Sequence, residues 1–524
     1  MQRLPRRRRQ SPSQHRLRST RSRRARPGDA GRRGDPAHLR RSGGRDHGRT
    51  RYRLGEEGVH PPGLQRSGSR GHEAPAGCVR SRRCLQSGQA LSLDPLLCGS
   101  QPQGARLRSC ALRVSGSVIS TEALEQLAAA AGEGSLVSHE TVLVDDVPFT
   151  VTLSPESPEA LGRTLSTLDA CGVGVLVRGG GSHLGFGNPP RGAELMLSTQ
   201  RIAGVLELDA GDGVCRAAAG TTLTSLRAEA NASGWELPLD APGAGATVGG
   251  VLAAAAIGPR ALGYGLPRDN VLGIEVALAN GDRTHCGGRV VKNVTGYDLN
   301  KLYTGSLGSL GVIEAAWLRL RPMPAAVRLC EARLKSLPQA VSAGIEISRV
   351  ASARAVVLHQ LRGEDVRLVV ELAGDEPTVC RDERALASTA PFVAAAPEAL
   401  DDLRRRQAVL PGDAGTRFRL AALPSRLGPL ANSLVDHASE LLIQPGLGLL
   451  YAGFAASEAG GLERVARAGS SVGASWVLEA APASVKRECD VFGDDGTALA
   501  LTRALKQRFD PAGRLNPGRF MGRL

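Results

Sequence analysis

Residues Val175 to Ser182 read Val-Leu-Val-Arg-Gly-Gly-Gly-Ser, an apolar strand that runs without a break into three glycines. Glycine has no Cβ, so successive backbone N–H groups can converge on one anion and positive φ carries no steric penalty. Arg178 stands at the mouth of this loop as a fixed cation. The same junction is also what a plain tight loop looks like, so its meaning depends on what else the chain brings to it.

Four further segments have the same character. Pro242 to Gly250 (Pro-Gly-Ala-Gly-Ala-Thr-Val-Gly-Gly) is a second glycine loop, feeding a predicted helix at 251–256. The free N–H groups and dipole at a helix start favour a phosphate. Gly263 to Gly273 reads Gly-Tyr-Gly-Leu-Pro-Arg-Asp-Asn-Val-Leu-Gly, and Lys292 to Gly311 contains Lys-Asn-Val-Thr-Gly-Tyr-Asp-Leu followed by Gly-Ser-Leu-Gly-Ser-Leu-Gly. The chain closes with Phe-Asp-Pro-Ala-Gly-Arg-Leu-Asn-Pro-Gly-Arg at 509–519. Five loops spaced in this way could meet on one extended anionic ligand.

Between them the pattern is α+β. Helices are predicted over 121–131 and from a Ser157 cap with Pro158 at the first turn to about Gly172, and a Thr221 or Thr222 cap opens a third that runs to Asn231. Extended segments are predicted over 142–153, 195–197, 205–208, 214–218 and 312–320. Asn280-Gly281 between 274–279 and 283–286 predicts a hairpin with a type I′ turn, since that turn needs positive φ at both central residues. A short helix is predicted at 297–303. Beyond a boundary near 323–327, strands at 355–358 and 366–372 alternate with helices at 427–442 and 462–468.

The order and wording of the five glycine-bearing segments resemble the FAD-binding domain of the vanillyl-alcohol oxidase, or PCMH, type, and within it the FAD-binding subunits of bacterial glycolate oxidases. The resemblance covers about 140–325 and the last fifteen residues well, and the stretch between more loosely. It implies an α+β fold: a PCMH-type FAD-binding domain of two α+β subdomains over 114–325, a smaller α+β region over 326–500, and a C-terminal segment, 501–524, that returns to the flavin site. It also implies that Arg178, Gly179, Gly180, Gly181 and Ser182, with Gly243, Thr247, Gly249 and Gly250, hold the FAD pyrophosphate. Gly311, Val312 and Ile313 would offer backbone toward the adenine, while Tyr297 and Asn516 would lie nearer the flavin ring. The function implied is FAD-dependent oxidation of a small 2-hydroxy acid, glycolate to glyoxylate, beside a catalytic flavin subunit and an iron–sulfur subunit. A self-sufficient 2-hydroxy-acid dehydrogenase of D-lactate type is the alternative.

Departures from that pattern sharpen it. Ala254-Ala255-Ala256-Ile257-Gly258 stands where many relatives have Thr-Asn-Ala-Ser-Gly, so only Gly258 is carried over there, for its backbone. Relatives that bind flavin covalently have His directly after the glycines; here Ser182 holds that place and His183 comes one residue late, which implies non-covalent FAD. The C-terminal histidine-rich segment of the self-sufficient relatives is absent, and His359 and His437 lie far apart, so neither a metal site nor a general base can be drawn from them. Candidate cations for a substrate carboxylate are Arg260, Arg268 and Lys292; Tyr264, Tyr297 and Lys301 are as plausible in packing as in chemistry.

Charge separates the first 113 residues from the rest. They hold 27 Arg, no Lys and 7 acidic residues, and neither Ile nor Phe. Such a segment cannot build a core and has the composition of disorder. With Tyr52 its single aromatic and no nucleic-acid motif, it is not read as a nucleic-acid arm; it looks like translated GC-rich sequence upstream of a start near 114–119. No apolar run is long enough for a membrane span and no signal-peptide core is present, so a cytoplasmic protein is expected, touching a membrane at most peripherally. Cys171, Cys215, Cys286, Cys330, Cys380 and Cys489 are scattered singly, as reduced structural thiols are.

Overall fold

The computed structural model describes residues 112–114, 117–290, 296–408, 415–458, 460–493 and 496–524. The expectation for the Arg-rich segment therefore lies outside the described residues almost entirely, and Lys292 lies outside them altogether.

Three sheets carry the fold. The first has the strand order Leu136–Val144, Val147–Leu153, Leu195–Ser198, Val175–Arg178, with parallel pairing at its glycine-loop end. Helices Thr121–Ala131 and Pro158–Cys171 cover it, burying Leu127, Leu161 and Leu165 against Leu153 and Leu195. Ser157 caps the second helix by accepting from Ala160 N, and Gly172 ends it in the left-handed region, so both termini are set by the residues the sequence shows there. The second sheet is five-stranded and antiparallel, with Val271–Ala277 and Val312–Arg319 at its centre.

Two turns exchange their expected chemistry. The Ile274–Ala277 strand pairs with Arg283–Cys286 as predicted, but of the two turn residues only Gly281 has positive φ. Gly281 N donates to Leu278 O and Leu278 N to Asp282 O, which makes a longer turn with a glycine bulge, held by the Asn280 side chain accepting from Asp282 N. Positive φ at two consecutive residues occurs instead at Asp145 (50°) and Asp146 (65°), in the hairpin joining Leu136–Val144 to Val147–Leu153. Asp tolerates that conformation at a modest cost, and the buried Asp145 carboxylate is tied down by Lys486 Nζ at 2.5 Å and Arg519 Nη1 at 2.9 Å.

The third sheet holds eight antiparallel strands between Ala326 and Ala480. One of its faces packs on helices Leu337–Ile347, Leu427–Leu434 and Gly461–Val472 through the largest apolar cluster of the molecule. The predicted helix at 427–442 stops at Leu434, and Glu440–Gln444 is a strand of this sheet. The opposite face meets the helix Ala399–Ala408 and Ile257 of the glycine-loop domain. Arg260 closes that junction: its Nε and Nη2 donate to the Glu371 carboxylate at 2.9 Å each, and its backbone N–H donates to Asp240.

Candidate functional site

The two glycine loops meet face to face, and the reason is steric. A Cβ on Gly180 would stand 1.7 Å from the Gly245 carbonyl oxygen, and one on Gly179 2.2 Å from Thr247 Oγ1. Neither residue has positive φ, so glycine is required at both for close approach alone; Gly181 and Gly243, by contrast, have φ of 83° and 98°. Thr247 links the loops, accepting from Gly180 N and from Gly250 N at 3.4 Å each, and caps the helix Val248–Ala254. Gly249 fits its own neighbour, Ala219, in the same way.

The C-terminal segment completes this wall. Leu515 pairs in parallel with Val175, and Asn516 takes positive φ (46°) to turn its amide inward. Asn516 Oδ1 accepts from Val177 N at 2.7 Å and its Nδ2 donates to Leu307 O at 2.5 Å, so the amide is spent on binding the strand to the 305–311 loop. Arg519 is similarly committed, donating to Asn188 O, Leu184 O, Phe186 O and Asp145.

What these loops enclose is an extended cleft of three connected chambers. The central one is lined by Arg178 to His183, Thr247, Gly250, Leu307, Asn516 and Arg519. At one end it opens on a chamber bordered by Thr199, Gly249, Gly308, Gly311, Val312 and Ile313. At the other, past Ser182 and His183, it opens on a polar cavity against the eight-stranded sheet. Arg178 Nε is buried without a hydrogen-bond partner, and among the described hydrogen bonds the N–H groups of Gly181 and Ser182 find no acceptor in the chain. A buried donor without an acceptor, as Arg178 Nε is, costs about 1–3 kcal/mol unless a ligand takes it. The central chamber is therefore built for an anion, with room on either side for a longer molecule.

Several candidates are placed elsewhere. Gly258 lies outside the cleft, wedged 1.5 Å (as a Cβ would measure it) from the Asp240 carbonyl. Arg260 is occupied by Glu371 and Asp240. Arg268 and Lys301 are more than half exposed and pair with Asp269 and Asp298. Tyr297 is 91% exposed, on the surface, and Tyr264 is buried under Arg354, 6.0 Å from its ring centroid. None of these lines the cleft.

His183, by contrast, lies where the central chamber meets the polar cavity, its Nδ1 3.0 Å from Ser182 Oγ. The signal in the sequence was only its place next to the glycines. Burial lowers its pKa below the usual 6.5, with Glu479 opposing and Arg417 adding to the shift. The unfolded chain thus binds a proton that the folded chain refuses, so stability rises with pH up to about 6.5 and is flat above it on this account. His183→Gln is expected to flatten that acid-side slope in urea melts taken across the pH range; an unchanged slope would show that the ring takes up its proton while folded.

Comparison with known proteins agrees with this geometry. A family model described as an FAD binding domain matches residues 149–287. The chain is 30% identical over 358 residues to glycolate oxidase subunit GlcE of Escherichia coli, a match covering 67% of this chain and 93% of that protein. It is 35% identical over 199 residues to a D-lactate dehydrogenase of Archaeoglobus fulgidus and 34% identical over 173 residues to glycolate oxidase subunit GlcD of Bacillus subtilis, but these matches span only 45% and 37% of those relatives. Among solved structures, p-cresol methylhydroxylase superposes with a TM-score of 0.59 at 14% identity, over 76% of this chain and 96% of that one, which shows a shared fold.

Proposed function

We propose, from the premise that this chain belongs to the family of FAD-linked oxidoreductases that holds the glycolate oxidase subunits, that it is the FAD-bearing subunit of a complex oxidising a small 2-hydroxy acid such as glycolate. The observation that carries the reading is the match to a glycolate oxidase subunit over nearly all of that subunit's length, in a chain whose glycine loops and Arg178 line one cleft. In this reading the backbone of Gly179 to Ser182 and of Gly249 and Gly250, with the Arg178 guanidinium, holds the pyrophosphate, and Gly311 to Ile313 border the adenine. FAD bound there supplies an acceptor for the two electrons of a C–H bond.

The protein's own part is position and proton handling. Oxidation of an alcohol to a carbonyl releases the hydroxyl proton as the C–H electrons leave, and a neutral base must stand by to take it. His183, kept neutral by burial, can accept it at Nε2 while Nδ1 faces Ser182. A catalytic flavin subunit and an iron–sulfur subunit would carry the electrons onward, in the cytoplasm or at the inner face of the membrane; among the described residues no helix is long and apolar enough to cross one.

Purification of the native protein, with a flavin count and identification of what accompanies it, tests this. One FAD per chain is expected, released into the supernatant by acid precipitation because no covalent link holds it, together with two further subunits. A chain that purifies alone and sustains turnover of glycolate or D-lactate would replace the subunit reading with that of a self-sufficient dehydrogenase.

A further inference from the structure

A base that takes a proton must lose it before it can act again, and the fold gives His183 two ways to do so. It lines the polar cavity against the eight-stranded sheet, which exposed Gly185 borders on the solvent side. An acid entering there would stand in the first way out. The second runs along the sheet, into a narrower chamber that shares Gln407, Arg417 and Tyr451 with the cavity and reaches Arg406 and Glu440. Strand register makes this hollow. Gly453 stands between Arg417 and Glu440 in one cross-strand row, while Tyr451 stands between Arg419 and Leu442 in the next. The first row has no side chain at its centre, which leaves a passage beside the helix Ala399–Ala408 to the end of the strand Glu440–Gln444. Cavity and chamber measure about 120 Å³ and about 10 Å³, room for several waters and for about one.

Gln407 marks the join. It is 4% exposed and stands beside Tyr451, yet neither its Oε1 nor its Nε2 completes a hydrogen bond of proper geometry. Native proteins seldom leave such a group unpaired except where water or a ligand uses it. An amide that lines two chambers can bond a water in each, and the Tyr451 hydroxyl, which burial keeps protonated, both donates and accepts. Charge does not bar the passage. Arg417 and Arg419 are held by Glu479, and Arg417 also donates to Arg406 O. Arg406 is held in turn by Glu440 and Asp402, so three guanidinium groups face three carboxylates along the way. At the outer end burial works to raise the Glu440 pKa, but His359 and Arg406 hold it below the usual carboxylate range. The Glu440 side chain is 16% exposed and Arg406 38%, so the passage meets solvent there.

We infer that cavity and chamber form the exit route for the proton that His183 takes, with Gln407 and Tyr451 positioning the waters that carry it and Glu440 as the outlet. The inference deepens the flavoenzyme reading and rests on His183 as its base. The hydroxyl O–H bond of the acid breaks and its proton bonds to His183 Nε2, while the electron pair of the C–H bond leaves for the flavin. His183 then gives the proton to the nearest water. Each water on the way receives one proton and hands one on, and the last passes to solvent past the Glu440 carboxylate. His183 is left neutral, as it began. The arginines take no part in the transfer, since a guanidinium does not give up its proton.

The native flavin-loaded protein, mixed with glycolate in weak buffer with a pH-indicator dye and no electron acceptor, tests the route. Bleaching of the flavin reports the C–H electrons, and the dye reports the proton in solvent. Gln407→Leu removes both polar atoms at the join, and Gly453→Ala puts a methyl group into the narrow chamber; neither breaks an ion pair. In both variants bleaching is expected at the wild-type rate, with the dye falling behind it. A second readout needs no turnover. In NMR of the substrate-free protein His183 should titrate at one midpoint in all three proteins, while exchange between its protonated and neutral forms slows about tenfold or more in the variants, the rate equivalent of one lost hydrogen bond. Dye in step with bleaching and unchanged exchange in both variants would show the proton leaving past Gly185, and would overturn the route. If glycolate bleaches no flavin, the flavoenzyme reading fails on that result, and the NMR exchange alone decides the route.

Discussion

Gly180→Ala is expected to cost the protein its flavin. The added Cβ would stand 1.7 Å from the Gly245 carbonyl oxygen, roughly half of any tolerable separation, and both sides of the clash are backbone. No rotamer change can relieve it. The two glycine loops must part by more than about 1 Å, a displacement large enough to undo a positioned anion site. The first bond to go is Gly180 N to Thr247 Oγ1, already 3.4 Å long. We expect the ratio of flavin to protein absorbance to fall about tenfold or more, by loss of oriented hydrogen bonds to the phosphates. Gly428→Ala is the control: it lies in the helix Leu427–Leu434 with nothing within 4 Å of the new methyl group, and should leave flavin content alone while stabilising the helix by about 0.5–1 kcal/mol. Full flavin retention in Gly180→Ala would mean that these loops do not bind the cofactor.

Lys506→Met is expected to destabilise the chain by about 3–5 kcal/mol, as removal of one partner from a buried ion pair does. Lys506 is 7% exposed and Asp510 1%. Lys506 Nζ donates to Asp510 Oδ2 at 2.6 Å, to Leu515 O at 2.8 Å and to Ser309 O at 2.9 Å, pinning the helix Gly496–Phe509, the closing segment and the 305–311 loop at one point. Asp510 keeps the N–H groups of Arg514 and Leu515 but loses its counter-charge. Since Leu515 pairs with Val175 and Asn516 holds Val177, the damage reaches the cleft, and flavin loss should accompany the lower urea midpoint. Adding Asp510→Asn removes the stranded charge while keeping an acceptor oxygen, and should recover more than half of the lost stability. Failure to recover would assign the loss to the three broken hydrogen bonds instead.

The glycine loops were legible because their constraint is local and admits one answer. Where a backbone must lie within contact distance of a neighbour, only glycine serves, and Gly179, Gly180 and Gly249 record that need in the chain itself. The caps at Ser157, Thr222 and Thr247 are of the same kind, since a side-chain oxygen must stand two or three residues before the donors it satisfies. Asn280-Gly281 shows the limit of such rules. The hairpin formed where the dipeptide predicted it, but strand register and the Asn280 side chain selected another turn, while Asp145 and Asp146 accepted positive φ because Lys486 and Arg519 hold the first of them.

Arg260 and Arg419 mark the division between sequence and fold. By sequence, Arg260 stood next to the cofactor segments and looked free to meet a substrate; Asp240 and Glu371, from segments 20 and 111 residues away, had claimed it. Arg419, on the strand Thr416–Ala421, carried no signal of its own in the sequence. What the sequence determined was the pair of glycine loops, the closing segment and hence the family, because those depend on steric rules that act between neighbours along the chain. Only the tertiary structure decided the polar cavity, because an alternating strand does not say which of its faces will be covered. Here the helix Ala399–Ala408 and the glycine-loop domain cover the polar one, and that turns Arg417, Arg419, Tyr451, Glu479 and Gln407 from a solvated surface into the lining of a cavity.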